Sequence, residues 1–309
     1  MKVFITGATG YIGSALTKEL LSRGHQVTGL ARNDSGAEKL KTLGAEVVRG
    51  TLDDVDTLKQ AASQADAVAH LGFVHNFEDF QGSCATDRAA VNAIGSALAA
   101  AGGERVLVVT SGTMVLKKGQ VGTEDQSFDK SDPFGSARGA SEDVALAFVE
   151  KGVRVGVMRL PPSVHGDGGM GLVSTIMAGV QKAGTVMYVG AGENRWGATH
   201  YLDAVQAFRL ALEKGKPGGS VYHPVAEEGV RLKDIAERIG NKLNVPMANK
   251  SLEELQGLIG FMGQAIGTDN PSSSAKTRAE LGWEPVHKGL LDDLEPGDNI
   301  TKFMETHKH

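Results

Sequence analysis

The chain of 309 residues has a single cysteine, Cys84, so an intrachain disulfide is excluded. That usage is compatible with a reducing compartment. Aromatic residues make up only 5% of the chain. Neither charge sign dominates: 32 basic and 37 acidic residues leave a net charge of -5. This gives no general surface for nucleic acid or anionic lipid. No apolar run is long enough to span a bilayer. The opening Met1-Lys2-Val3-Phe4-Ile5 meets a glycine turn too early for a signal peptide. One cysteine and scattered histidines supply no zinc-ligand spacing, so no metal site is expected. The closing Thr306-His307-Lys308-His309 reads as a frayed, solvated tail. A Gly-x-Ser-x-Gly elbow and a Walker-type lysine are both missing, which removes those hydrolases and the P-loop NTPases. The expectation is a cytoplasmic protein, monomer or homodimer, with no nucleic-acid or membrane partner.

What is present is a regular alternation. Short β-rich apolar runs stand at residues 3–6, 26–31, 46–49, 67–71, 105–110 and 153–159. Helical apolar spacing occupies 14–23, 37–43, 55–62, 80–101 and 136–150. Strands without polar alternation are buried on both faces, so the pattern predicts an α/β fold with a doubly wound parallel sheet. Past residue 160 the pattern loosens at Pro161-Pro162 and a glycine-rich stretch, 166–171. Helices are predicted there at 172–183, 203–213, 232–243 and 275–281, and strands at 186–189 and 220–224. We therefore expect a first domain over 1–160. A smaller α/β region over 161–309 follows, with segments that interleave with the sheet.

The run Gly7-Ala8-Thr9-Gly10-Tyr11-Ile12-Gly13 follows the first strand and opens the first helix. The first glycine permits a tight turn, the second lets backbone approach a pyrophosphate, and the third allows close helix–strand packing. The helix N-terminus supplies free N–H groups for the phosphates. The first domain is thereby predicted to bind a nicotinamide dinucleotide, with Thr9, Tyr11 and Ile12 making the nearest contacts. NAD-binding chains carry an acid at the end of the second strand; here Arg32 and Asn33 stand there. A guanidinium suits a 2′-phosphate, which favours NADP(H) over NAD(H). Asp34, two residues on, weakens that signal.

With these segments the chain resembles the extended short-chain dehydrogenase/reductase family, the group of sugar-nucleotide epimerases and dihydroflavonol-type reductases. Residues 6–13 match its cofactor turn, and 159–166 resemble its Arg-x-x-x-Val-Tyr-Gly segment near the nicotinamide. The stretch from Arg195 to Val205 resembles its Arg…His-Val-x-Asp-Val-Ala segment. The resemblance implies that Leu52 and Asp53 line the adenine pocket, although Thr51 replaces the family's first acid. It also implies that Leu71, Gly72, Phe73 and Pro161 lie along the cofactor. The family's reactive set is a serine or threonine after the fifth strand, a tyrosine, and a lysine four residues later. Here Gly112, Arg138 and Glu142 fall at those positions. An arginine cannot donate a proton near neutral pH, but it can hold an oxyanion. Arg138 and Glu142, four apart on a helix, could instead pair with each other.

The remaining candidates for chemistry are the flanking hydroxyls Ser111 and Thr113, and His165, whose residue type titrates near neutral pH. His75 and Phe77 lie beyond the fourth strand's end, where substrates bind in open α/β sheets. With Arg138 and Trp196 they are candidate substrate contacts. The expected function is an NADP(H)-dependent oxidoreductase reducing a carbonyl of a small apolar molecule through an atypical proton-donor arrangement. A non-catalytic NADP(H)-binding sensor or scaffold and a sugar-nucleotide-type epimerase or dehydratase are the alternatives.

Overall fold

The apolar runs become strands, and each helix between them lays its apolar stripe on one sheet face. The first half contains β1 (Lys2–Thr6), α1 (Tyr11–Ser22), β2 (Gln26–Ala31), α2 (Asp34–Leu43), β3 (Glu46–Arg49), α3 (Val55–Ser63), β4 (Ala67–His70), α4 (Phe80–Ala101), β5 (Arg105–Gly112), α5 (Pro133–Leu146) and β6 (Val153–Leu160). Then follow β7 (Ser163–His165), α6 (Val173–Ala183), β8 (Val186–Val189), β9 (Arg195–His200), α7 (Tyr201–Lys214), β10 (Gly219–Tyr222), β11 (Glu227–Arg231) and α8 (Leu232–Leu243). The chain continues through β12 (Met247–Lys250), α9 (Leu252–Ile259), α10 (Gly263–Ile266), α11 (Ala275–Leu281) and α12 (Leu290–Asp293). The computed structural model describes residues 1–295, 300, 301 and 303. The tail Thr306-His307-Lys308-His309 lies outside them.

Seven strands form one sheet in the order β10-β6-β5-β4-β1-β2-β3. All their pairings are parallel. The chain starts at β1, winds outward to β3, and returns to the other side of β1 at β4. That reversal opens a crevice between the carboxyl ends of β1 and β4, where ligands bind in such sheets. One face of the sheet is covered by Leu16, Leu20, Phe208 and Leu212, and the other by Leu58, Val91, Ile94 and Phe148. Residues 201–222 return from the second half to this sheet: α7 packs on α1, and β10 pairs with β6. A three-stranded sheet, β11-β9-β7, and the pair β12-β8 build the smaller region around its own core. No helix among the described residues is long and apolar enough to cross a membrane.

Several helices begin earlier than their apolar spacing predicted. Asn33 accepts from the Gly36 N–H and starts α2 at Asp34, and Asp132 accepts from Gly135 N–H with Pro133 following it in α5. The first turn of α2, Asp34-Ser35-Gly36, has no apolar side chain, and that of α5 opens on a proline, so periodicity misses both; their caps define them instead. The sequence reading had no counterpart for β7, β9, β11, β12 or α9. Those strands are short, and their partners lie far away along the chain.

Candidate active site

The glycine turn sits at the crevice. Gly7 has φ +68, and a Cβ there would lie 2.7 Å from the Gly72 nitrogen, so β1 and the end of β4 meet without a side chain between them. A Cβ on Gly13 would lie 2.1 Å from the Gly7 carbonyl oxygen, which makes glycine obligatory there. Gly10 caps α1 in extended conformation, exposed, with no side-chain cap and no acid in the first turn. An uncapped helix end beside a glycine cradle is the donor set a pyrophosphate needs. Thr9 lies at the turn with its carbonyl accepting from Lys39 Nζ at 2.9 Å. The Tyr11 hydroxyl donates to the Gly166 carbonyl, tying the turn to the glycine-rich 166–171 loop. Burial, with Tyr201, Asp293 and Asp167 nearby, raises the Tyr11 pKa and keeps that donor protonated.

At the end of β2, Arg32 is exposed and makes no hydrogen bond or ion pair among the described residues. Asp34 is held by Arg49 at 2.8 Å. Asn33 spends its side-chain oxygen on the α2 cap. Leu52 is buried beside Gly72, and Asp53 accepts from the Thr86 hydroxyl at 3.1 Å. Ile12 and Leu71 pack against the core, and Pro161 is buried at the end of β6.

The tyrosine position of the resemblance holds a buried charge relay. Thr6 Oγ1 accepts from the Gly72 N–H at 3.1 Å and lies 2.8 Å from His70 Nδ1. The Asp87 carboxylate can only accept, so His70 Nε2, 3.2 Å away, donates to it, and in the neutral ring Nδ1 then accepts from the Thr6 hydroxyl. Arg138 donates through NH1 to Asp87 at 2.8 Å and through NH2 to the Thr110 carbonyl. Its guanidinium lies 4.8 Å from the centre of the Phe73 ring. Burial pushes the Asp87 carboxyl up, but Arg138 and His70 outweigh it and hold it at about 2. The alternative of an Arg138–Glu142 pair on the helix is not what forms: each finds a partner across the fold. Glu142 takes two hydrogen bonds from Arg159, from Nε at 2.9 Å and from NH2 at 2.6 Å, and a third from Ser111 Oγ at 2.6 Å. Both members of the Glu142–Arg159 pair are almost fully buried. A bidentate pair in a dry site outweighs an exposed neighbour pair, worth only about 0.2–0.5 kcal/mol on a helix.

Thr113 is fully buried and donates to Asn270 Oδ1 at 2.6 Å, while Asn270 returns a bond to the Thr113 carbonyl. Its hydroxyl anchors the end of β5 to the segment after α10. Trp196 is also fully buried, in the core of the smaller region with Met170, Met177 and Met187, and donates to the Thr268 carbonyl. His165 is 1% exposed, with Nδ1 3.0 Å from Asp293 and Nε2 buried without a partner among the described residues. It belongs to a histidine cluster that the sequence did not announce. His200 lies edge-on to His165 at 5.6 Å and stacks on His287 at 4.6 Å, and His287 is bonded to Asp203. Burial, then His287 and His165, lower the His200 pKa to about 4. Among the described residues no group of three or more His, Cys, Asp or Glu is arranged to hold a metal ion.

The rim of the crevice is aromatic. Phe73 meets His75 at 5.4 Å and Phe80 at 6.3 Å, His75 meets Phe77 at 6.2 Å, and Phe80 stacks on Phe134 at 5.0 Å. Burial lowers the His75 pKa, and Arg138 and Arg32 lower it further against a bond near Phe73 that raises it. Asp87, His70, Arg159, Phe80 and Phe134 complete the site without having been singled out for these roles. One signal was available for Asp87: a charged residue in the middle of an alanine-rich apolar helix requires a buried partner.

A family model described as the NAD dependent epimerase/dehydratase family matches residues 3–223. An uncharacterized protein of Saccharomyces cerevisiae is 45% identical, over 95% of this chain and 98% of that one. The 2-alkyl-3-oxoalkanoate reductase of Stenotrophomonas maltophilia is 28% identical, over 94% and 97%. The structure of a dTDP-glucose 4,6-dehydratase from Streptomyces venezuelae with NAD and TYD bound has a TM-score of 0.79 at 18% identity, covering 99% of this chain and 97% of that one. That last likeness speaks to the fold alone.

Proposed function

Since the chain belongs to the NAD dependent epimerase/dehydratase family, of extended short-chain dehydrogenase/reductase type, we propose that it is an NADP(H)-dependent oxidoreductase that reduces a carbonyl of a small apolar molecule. The observation that carries the cofactor preference is Arg32, exposed and unpartnered among the described residues while Asp34 is taken up by Arg49. A 2′-phosphate supplies the anion that Arg32 lacks, and Lys39 stands beside the same turn. Bound at the turn, the reduced cofactor supplies hydride.

The substrate side follows from the aromatic rim and from the reductase relative. Arg138 holds the developing oxyanion with the N–H groups that neither Asp87 nor Thr110 occupies. Ser111 already donates to Glu142, so its proton is not free for the substrate oxygen and it acts through the position of Glu142. Thr113 positions the end of β5 through Asn270. His165 is fixed through Nδ1 to Asp293, and its buried Nε2, which bonds no described residue, is left for a proton exchange that follows hydride transfer. His75 and Phe77 contact the substrate at the rim.

The test is to follow oxidation of NADPH and of NADH against a panel of ketones, aldehydes and conjugated carbonyls. Preferred use of NADPH with at least one acceptor is expected. Tight dinucleotide binding with no turnover would overturn the reductase reading. It would support a second reading, a dinucleotide sensor or scaffold, which is favoured by the locking of Arg138 and Glu142 into buried ion pairs. An epimerase or dehydratase reading demands the same tyrosine and lysine and gains nothing from these replacements.

A further inference from the structure

The residue at the tyrosine position decides which carbonyls such a site can reduce. A saturated ketone or aldehyde becomes an alkoxide, whose conjugate acid is nearly as weak as bulk water, with a pKa of about 15.7. Its reduction needs a proton delivered as the hydride arrives, which is the work of a general acid. Arg138 cannot do that work, because a guanidinium does not serve as a proton donor near neutral pH. It is, however, a fixed cation with hydrogen-bond donors. Of its five N–H groups, two have partners among the described residues, Asp87 and the Thr110 carbonyl. The relay from Thr6 through His70 to Asp87 holds it in place, and its side chain keeps 11% of its surface open. A group of this kind stabilises an oxyanion that is already tolerable as an anion.

A second observation concerns the shape that the site accepts. The chain has only ten phenylalanines. Four of them, Phe73, Phe77, Phe80 and Phe134, are linked with His75 in one run of ring contacts beside Arg138. Phe80 and Phe134 stack, while Phe73, His75 and Phe77 meet edge-on or tilted, so the rim is one continuous aromatic surface, which suits a conjugated molecule better than an aliphatic one.

We propose that the substrates of this site are quinones: flat conjugated dicarbonyls whose reduction yields a phenolate. The inference rests on the reductase reading above. A quinone takes a hydride from the reduced nicotinamide at one oxygen, forming an O–H bond as the C4–H bond of the cofactor breaks. The electron pair passes through the ring and leaves the opposite oxygen as a phenolate. Arg138 holds that oxygen until water protonates it. The sum is quinone plus NADPH plus a proton, giving hydroquinone plus NADP+. The phenolate's conjugate acid has a pKa near that of tyrosine, about 10, so no general acid is needed as the hydride moves.

Two measurements on the full chain test this. The first compares kcat/KM for NADPH oxidation with 1,4-naphthoquinones against saturated ketones and aldehydes, after subtraction of the uncatalysed rate. Quinones are expected to lead by 100-fold or more, on the order of a general acid's contribution. Arg138→Met should lower the quinone value about 10²- to 10³-fold. Phe77→Leu, at an exposed position, should raise the quinone KM roughly 3- to 10-fold with kcat held. The second titrates 4-nitrophenol, whose phenolate absorbs visible light, against the NADP+-bound protein. Bound nitrophenol should ionise at lower pH than free nitrophenol in the wild type and not in Arg138→Met. Turnover of saturated ketones at rates equal to quinones overturns the proposal and leaves the reductase reading standing. The absence of NADPH oxidation with every acceptor tried overturns both. An unshifted nitrophenol titration overturns the role of Arg138 even where Arg138→Met folds poorly.

Discussion

Replacing Asp87 with asparagine probes the relay that links Arg138 through Asp87 to His70 and Thr6. The carboxylate is 1% exposed, accepts from His70 and Arg138, and is held at about 2 against its ordinary 3.8. That difference corresponds to on the order of 2 kcal/mol of stability from ionisation alone. Asparagine also leaves the buried Arg138 cation unbalanced, and breaking a buried pair costs about 3–5 kcal/mol. A loss of roughly 2–5 kcal/mol is therefore expected, read as a lower urea midpoint at pH 7. The pH dependence has a definite sign. A carboxyl whose folded pKa is depressed stabilises above 3.8, and that contribution fades as pH falls from 3.8 through about 2. The wild-type advantage over Asp87→Asn should thus stay constant from pH 8 to pH 5 and shrink only below 4. Removing both charges, as Asp87→Leu with Arg138→Met, should cost less than the sum of the two single changes, because neither is then left buried alone. A destabilisation under 0.5 kcal/mol for Asp87→Asn, or additive single and double changes, would refute the relay as a coupled buried unit.

Three further outcomes are expected. Arg32→Ala should weaken NADPH binding by about 1.5–3 kcal/mol, the worth of hydrogen bonds to a charged group, and leave NADH binding nearly unchanged; calorimetric titration of both cofactors checks it. Gly13→Ala forces a Cβ to 2.1 Å from the Gly7 carbonyl oxygen, so the turn must open and dinucleotide-induced thermal stabilisation should vanish. His200 and His223 are held neutral, first of all by burial, at about 4 and about 3 against the usual 6.5. Histidines with depressed pKa values destabilise the fold once pH drops below 6.5, and the penalty grows until the folded pKa is reached. Stability should therefore decline from pH 6.5 towards 4. His200→Asn, which keeps an acceptor for the Leu202 N–H that now bonds Nδ1, should flatten that decline in urea titrations across pH.

The sequence by itself determined the glycine turn and the alternation that builds the doubly wound sheet. These are local properties: helical spacing, strand composition and turn chemistry are written within a few residues of where they act. It also identified His75 and Phe77 as rim residues, since loops after parallel strands open at the carboxyl edge. The tertiary structure alone decided the partners. Arg138 passes over Glu142, its helical neighbour, for Asp87 on α4, because α4 packs on α5 and buries both charges together. Glu142 turns instead to Arg159 on β6 and to Ser111 on β5. Thr113 is satisfied by Asn270, 157 residues away, and His165 by Asp293. Sequence spacing ranks only neighbours on one element, whereas a buried charge takes whichever opposite charge the packing brings within reach. The glycine turn thus stands at the crevice by local rules alone, and the packing of α4, α5 and β6 decides which charged groups stand beside it.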